Sequence, residues 1–136
     1  MVLIFFERMI IMKHIFTEDF VPSRGDIFVA DMNVVDSKGR VLVFKRRPVI
    51  VVQNDLANNN GSSTVTVVPI SSDKHGKRLP THLLLEKNSF MLHRQSIAHA
   101  ENITTIQRSD LRYYISRVDE ATMRELVRAI NIQIGA

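Results

Sequence analysis

The chain has 136 residues, of which 45% are hydrophobic and 24% charged, so one domain with a single core is expected and a disordered tail is excluded. It contains no cysteine, which excludes a disulfide framework and a thiolate metal site. The formal net charge of +4 allows an acidic partner, such as nucleic acid or an acidic protein, without requiring one.

The chain begins with a strongly apolar segment, MVLIFFERMIIM. Glu7 and Arg8 interrupt it well before the roughly 18 apolar residues that a membrane span needs. A secretory signal would need a basic segment before the apolar run and a small-residue cleavage site after it, and neither is present. We predict an apolar leader at 1–11, a start of the natural chain at Met12, and a single domain at 12–136. The alternative for the leader is an added strand or helix that packs on the core.

Short apolar segments separated by turn residues predict a mainly β chain. Strands are expected at 26–32, over VLVF, and from Pro48 through PVIVVQN. NNNGSS is a strong turn signal, and the strand TVTVVPI follows it, with a ladder that Pro69 should end. Further short strands over THLLLE, SIAHAEN and TTI complete the pattern of a small barrel or sandwich.

The C-terminal segment changes to helical spacing. The apolar residues with this spacing are Met123, Leu126, Val127, Ile130 and Ile134. Asp119 is the predicted N-cap and Gly135 the predicted stop. A shorter helix is predicted over SDLRYYI, with Ser109 as its cap. Both helices are expected to pack on the core or on a dimer surface rather than to carry chemistry.

The histidines are dispersed and show no metal-binding pattern. They are His14, His75, His82, His93 and His99. No two have the i, i+4 spacing of a helical metal pair, and no carboxylate completes a cluster in the sequence. There is also no glycine-rich phosphate loop and no nucleophile elbow. The sequence therefore predicts neither a metal site nor a cofactor.

The remaining chemical signal is KRRPVIVVQND, in which an arginine pair stands directly before a proline and an apolar strand. Pro48 restricts Arg47 to an extended backbone, so Arg47 should leave the strand end in a fixed direction. A guanidinium is always charged, and its fork of donors matches phosphate oxygens. Charge at a strand end is more often simply solvated, and these residues alone leave both interpretations open.

Four motifs follow one another along the chain. They are RGDI at 24–27, RPV with QND at 47–55, LPTH at 79–82, and SI followed by ENITTI at 96–106. In order and spacing they resemble the motifs of the MazF/PemK/Kid family of toxin endoribonucleases, from bacterial toxin–antitoxin pairs. The resemblance extends from Arg24 to the C-terminus.

This resemblance implies a mainly β fold with a C-terminal α-helix, a small SH3-like barrel of the MazF/PemK/CcdB type, and a homodimer. It implies sequence-specific, metal-independent cleavage of single-stranded RNA that leaves 2′,3′-cyclic phosphate and 5′-hydroxyl ends and inhibits growth. It also implies an acidic cognate antitoxin of the MazE/PemI type and a cytoplasmic location.

The resemblance also assigns site residues. The family's catalytic arginine falls on Arg47, and its catalytic threonine falls on Ser71, which keeps the hydroxyl group. Arg47 would stabilise charge on the phosphoryl oxygens or donate a proton to the leaving oxygen, and Ser71 would hydrogen-bond the phosphate. The residues assigned to RNA contact are Arg46, Asn54, His82, Asn102 and Thr104. For His82, binding or structure is expected rather than catalysis.

Besides Ser71, which replaces the family's threonine, the chain departs from the family pattern at three further places. Many members carry a glutamate in the loop before the arginine, whereas Asp36 is the only acid in VVDSKGRVLVFKR, so the general base is unassigned. Asn102 and Thr104 stand where glutamine and arginine are common. A shorter amide and a missing cation would alter base readout or weaken the grip on RNA.

Two other functions remain open at this point. A toxin of the same fold can act on a protein, as the gyrase poison CcdB does, because fold does not fix function. A barrel that only binds RNA is the third interpretation. It is disfavoured because the chain has no tryptophan and its phenylalanines and tyrosines form no stacking pattern.

Overall fold

The computed structural model describes residues 20–73, 76 and 78–136. The predicted leader at 1–11 lies outside these ranges. The strands are β1 Asp26–Val35, β2 Val41–Val51, β3 Thr64–Ser72, β4 His82–Leu85, β5 Ser96–His99, β6 Thr104–Gln107 and β7 Leu111–Arg117. The helices are α1 Asp55–Asn59 and α2 Glu120–Ile134, with 3₁₀ turns at Ala100–Asn102 and Arg108–Asp110.

The strands pair antiparallel in the order β4-β5-β3-β2-β1-β7, and β6 pairs with β3. This arrangement confirms the prediction of a mainly β fold with a C-terminal helix. Within the described ranges β4 and β7 stand at the two ends of the order, so the barrel is open rather than closed. None of the helices in these ranges is both long and apolar enough to cross a membrane.

Alternate strand residues point to opposite faces, and both faces of the sheet are covered. One layer, the helix-side core, contains Ile50 and Ile70 from the strands and Met123 and Leu126 from α2. The other layer, the far-side core, is formed by buried residues of β1, β2 and β3 together with Leu111. Its strand members are Phe28, Ala30, Val49, Val51, Val65 and Val67.

The strand predicted to begin at Pro48 begins earlier. β2 runs unbroken from Val41 to Val51, and Pro48 lies inside it opposite Val29 of β1. A proline fits within a strand where its missing N–H removes no ladder bond. The pairing of β2 with β3 ends at Val49, one residue short of Pro48. Arg47 is therefore an internal residue of the β1–β2 hairpin rather than a strand-end residue.

Strand β3 is paired along both of its edges. Val67 to Pro69 pair with β2 on one edge, and on the other edge Thr64 to Val67 pair with β6 and Ile70 to Ser72 with β5. The prediction that Pro69 ends a ladder is confirmed for the ladder with β2, because the proline has no N–H to continue it. β3 itself continues through Pro69 and joins the two halves of the sheet.

The C-terminal helix has the predicted boundaries. The Asp119 side chain accepts a hydrogen bond from the Thr122 backbone N–H, and Gly135 closes the helix in the left-handed conformation with φ 75°. The predicted helix over SDLRYYI is wrong. That segment forms strand β7, because pairing with β1 overrides the local helical pattern, and Ser109 lies in the preceding 3₁₀ turn.

Candidate active site

Arg47 lies on the far-side face of β2. Strand alternation turns Arg47 to the same face as Val49 and Val51. It pairs with Ala30 of β1, and Ala30 is fully buried. Arg47 itself is half-buried. In the described ranges its guanidinium takes part in no ion pair and no side-chain hydrogen bond. The fold thus holds the stem of Arg47 in place and leaves its charged head available.

Its neighbour Arg46 is in a different position. Strand alternation turns it to the other face, where its Nε donates a hydrogen bond of 3.0 Å to Asp31 Oδ1. Arg112 Nε donates to the second oxygen of the same carboxylate. Asp31 is only 6% exposed, so Arg46 balances a buried charge. The structure does not bring Arg46 to the same face as Arg47.

Ser71 is the β3 residue that corresponds to Arg47. β2 and β3 pair Val49 with Pro69 and Val51 with Val67, and Arg47 and Ser71 each lie two residues beyond the last pair of this ladder. Both residues follow the alternation of the far-side core. The two predicted catalytic side chains therefore share one face of neighbouring strands.

Ser71 belongs to a hydrogen-bond network that sequence reasoning missed. Its Oγ lies 2.5 Å from Nε2 of His99, and Nδ1 of His99 lies 2.8 Å from Oε1 of Glu101. His82 Nε2 lies 2.9 Å from the same oxygen, and Thr81 Oγ1 donates to Oε2 at 2.7 Å. We call Ser71, His99, Glu101, His82 and Thr81 the Ser71 network.

Three elements build the Ser71 network. His82 on β4 stands directly opposite His99 on β5, and β5 pairs with the end of β3 that carries Ser71. The two imidazole rings meet edge to face, with centroids 4.7 Å apart. Glu101 follows in the 3₁₀ turn after β5. These pairings bring together residues that are far apart in the chain.

The Glu101 carboxyl is strongly perturbed. Desolvation on burial would raise its pKa, but hydrogen bonds from Thr81, from its own backbone N–H and from His99 outweigh burial and lower the pKa to about 2. Glu101 is therefore a carboxylate at all physiological pH values and can only accept hydrogen bonds.

This shift predicts a stability change in acid. The folded-state pKa of about 2 lies below the ordinary value of 4.5, so the contribution of Glu101 is complete above pH 4.5 and is lost as pH falls from 4.5 towards 2. Urea unfolding of the wild type and of Glu101→Gln should give a difference in the free energy of unfolding that shrinks over this range. A difference that stays constant with pH would contradict the assignment.

Three other predicted RNA contacts lie apart from the Ser71 network. The Asn54 side chain caps α1 by accepting a hydrogen bond from the Leu56 backbone N–H at 2.8 Å. Asn102 is exposed in the 3₁₀ turn, and Thr104 lies on β6 opposite Val67. Of the five residues assigned to RNA contact, His82 is the one whose side chain belongs to the network.

His82, His99 and Glu101 could also hold a metal ion, since one atom from each lies within 4.8 Å of the others. The expectation that no carboxylate completes a histidine cluster is wrong, because strand pairing brings His82 to His99 and Glu101. In the sequence, His99 and Glu101 are two residues apart at a strand end, a spacing that favours the same side of the strand. This spacing identifies the partner His82 only when the β4–β5 register is known.

The chain is similar to known toxin proteins over most of its length. Residues 23–134 match the model of the PemK-like, MazF-like toxin of type II toxin–antitoxin systems. "Endoribonuclease MazF" of Staphylococcus saprophyticus is 31% identical over 112 residues, which are 82% of this chain and 90% of the relative. The protein of the same name from Staphylococcus epidermidis is 32% identical over the same shares.

Solved structures show the same fold. An endoribonuclease in complex with its cognate antitoxin, from a mycobacterial species, superposes with a TM-score of 0.66 at 22% identity and covers 84% of this chain and 95% of its own. The family model covers nearly all of the described residues, and the relatives exceed 30% identity over four fifths of the chain. The protein therefore belongs to the PemK-like, MazF-like toxin family of type II toxin–antitoxin systems.

Proposed function

We propose that the protein is a toxin endoribonuclease that cleaves single-stranded RNA at short sequence motifs and thereby inhibits growth. The observation that carries this proposal is the placement of Arg47, half-buried and without an ion pair in the described ranges, on the same face of the neighbouring strand as Ser71. The two staphylococcal relatives, which are named endoribonucleases, support it.

The chemistry suits these two side chains. The 2′-hydroxyl of the RNA attacks the adjacent phosphorus, the bond to the 5′-oxygen breaks, and the ends are a 2′,3′-cyclic phosphate and a 5′-hydroxyl. Negative charge collects on the phosphoryl oxygens in the transition state. Arg47 offers a fixed cation with forked donors to that charge, and Ser71 offers a hydroxyl. The nucleophile comes from the substrate, so the proposal includes no cofactor.

The test uses purified protein and mixed-sequence single-stranded RNA, with and without excess chelator. We expect cuts at a short shared motif in both conditions, with cyclic phosphate and 5′-hydroxyl ends mapped by end-labelling. Cleavage that chelator abolishes and magnesium restores would contradict the metal-independent mechanism. Uncut RNA together with inhibition of gyrase would favour the CcdB-like alternative, which the comparisons do not support.

Substitutions at Ser71 should have graded effects. Ser71→Ala removes the hydroxyl and leaves the cation, so cleavage should fall at least about fivefold, because losing one neutral donor to the phosphate corresponds to about 1 kcal/mol. The loss should be larger where the hydroxyl also passes on a proton. Ser71→Thr keeps the hydroxyl and should retain most activity. Ser72→Ala is the matched control, because Ser72 is the adjacent exposed residue that strand alternation turns to the other face. Initial cleavage rates measure all three, and a Ser71→Thr protein as weak as Ser71→Ala would contradict the role of the hydroxyl.

The proposal extends to partners and location. We expect a homodimer inhibited by an acidic antitoxin, whose C-terminal segment covers the RNA groove. The net charge of +4 would speed the encounter with an acidic chain. An RNA substrate places the toxin in the cytoplasm. Co-expression with the product of the adjacent gene should restore growth and yield a co-purifying complex, and failure of both would contradict the pairing.

A further inference from the structure

We propose that His99 is the general base of RNA cleavage, that it receives the proton of the 2′-hydroxyl across the Ser71 hydroxyl, and that Glu101 positions it. This inference rests on the proposed function and supplies the proton acceptor that the loop acid Asp36 does not provide. Asp36 is occupied in its own loop, where it accepts hydrogen bonds from Lys38 and Arg40.

The hydrogen-bond pattern first fixes the protonation of His82. The Leu79 backbone N–H donates to Nδ1 of His82 at 3.1 Å. A nitrogen that accepts a hydrogen bond carries no proton, so the proton of the neutral ring is on Nε2. That Nε2–H donates to Oε1 of Glu101 at 2.9 Å.

Glu101 then fixes the protonation of His99. The carboxylate only accepts hydrogen bonds, and its two oxygens take them from His82, from Thr81 and from Nδ1–H of His99. With its proton on Nδ1, the neutral His99 ring has a free lone pair on Nε2. This lone pair faces Ser71 Oγ at 2.5 Å, so the Ser71 hydroxyl donates to it.

The same pattern argues against a metal ion in the cluster. A metal ligated by His82 would need the lone pair of Nε2, but the hydrogen bond from Leu79 to Nδ1 leaves the proton on Nε2. A neutral imidazole has one proton and one lone pair, and both are already in use. The cluster is therefore a hydrogen-bonded chain that ends in a proton acceptor, rather than a metal site with three free lone pairs.

The proton acceptor lies beside the expected phosphate site. Ser71 lies on the same face of β3 as Arg47 does of the neighbouring β2, and the His99 side chain is 20% exposed, so substrate can reach the network. The titratable groups that face His99 are His82 from β4 and Glu101 from the 3₁₀ turn, and Arg47 lies on the same face of β2. A carboxylate behind the ring stabilises the imidazolium that proton uptake creates.

Two proton transfers accompany the attack of the 2′-oxygen on phosphorus. The 2′-hydroxyl gives its proton to Ser71 Oγ while Ser71 gives its own proton to Nε2 of His99. The freed electron pair on the 2′-oxygen forms the bond to phosphorus, and the pair of the breaking bond leaves with the 5′-oxygen. That oxygen takes a proton from water, and His99 returns its proton to water. No oxidant, reductant or cofactor enters the step.

The experiment measures single-turnover RNA cleavage against pH for the wild type, His99→Gln, Glu101→Gln and His93→Gln. Because imidazole changes charge between about pH 5 and 8, the wild-type cleavage rate should fall about tenfold for each pH unit at low pH, which we call the acid limb. His99→Gln should be about 10²- to 10⁴-fold slower and lack this acid limb. His93→Gln, the same change at an exposed histidine, should match the wild type.

Two further measurements separate catalysis from folding. Glu101→Gln should lower kcat with little change in KM and should move the acid limb to lower pH, because the carboxylate no longer stabilises the protonated ring. His99→Ala should regain cleavage when imidazole is added, since the ring lies close to solvent. Thermal melting of every variant reports whether it is folded, and rescue by imidazole is an effect that a purely structural role would not show.

Each outcome supports or overturns the inference. If the wild type cleaves RNA and His99→Gln cleaves it at the parental rate, or keeps the same fall in rate at low pH, His99 is not the general base. The proposed function would still stand. Wild-type cleavage that chelator removes and zinc restores overturns it in favour of a metal site. A wild-type protein that cuts no RNA under any condition overturns the proposed function and the inference with it.

Discussion

Arg47→Ala is expected to lower RNA cleavage by about 10²- to 10³-fold, which is the usual loss when one preorganised donor to transition-state charge is removed. The fold should be unaffected, because in the described ranges the guanidinium takes part in no ion pair or side-chain hydrogen bond. Arg47→Lys should regain little, since an ammonium keeps the charge but loses the fork of donors. Initial rates on a single RNA substrate measure both variants.

The matched control is Arg128→Ala. It removes the same side chain from an exposed position on α2, on the opposite side of the sheet from Arg47. Its cleavage rate should equal that of the wild type. If Arg47→Ala cuts RNA at the parental rate, Arg47 is only a solvated strand residue. The proposed mechanism would then have no cation to stabilise the charge of the transition state.

Leu126→Ala is expected to lower the free energy of unfolding by about 2–5 kcal/mol. Leu126 is fully buried where α2 packs on the helix-side core, so the change removes apolar contact and leaves a cavity. Urea unfolding should show a lower midpoint with an unchanged m-value. Protein concentration must be held constant, since dimerisation would add to apparent stability.

Ile132→Ala on the same helix is the control. Ile132 is 51% exposed, so the loss there should stay within about 0.5 kcal/mol. A loss as large as that of Leu126→Ala would mean that the exposed end of α2 is buried in the assembled protein. Size-exclusion chromatography of the two variants would then distinguish a weakened dimer from a weakened core.

The sequence predicted those features that local chemistry determines. The caps of α2 were predicted because aspartate before a helix and glycine after it act on their own neighbours. The end of the β2–β3 ladder at Pro69 was predicted because a missing N–H is a property of one residue. The fold class followed from the many short apolar segments between turns.

The features that were missed depend on long-range pairing. SDLRYYI has a serine cap and helical spacing, yet pairing with β1 makes it a strand. The sequence predicts a strand start at Pro48, whereas Pro48 lies inside β2, because its place in the strand depends on the pairing with β1 and β3. His82 and His99 stand opposite each other only through the β4–β5 register, and the intervening segment does not specify that register.

The pairing of β3 along both edges has a consequence for when the enzyme becomes active. The ladder on one edge of β3 holds β2, which carries Arg47, and the ladder on the other edge holds β5, which carries His99. Both pairings join segments distant in sequence, so neither forms before the chain has largely folded. In a partly synthesised or locally unfolded molecule, Arg47, Ser71 and His99 would not be brought together into an active site. RNA cleavage should therefore appear and vanish together with the native fraction, and slow amide exchange at Ile70 should mark the same all-or-none event.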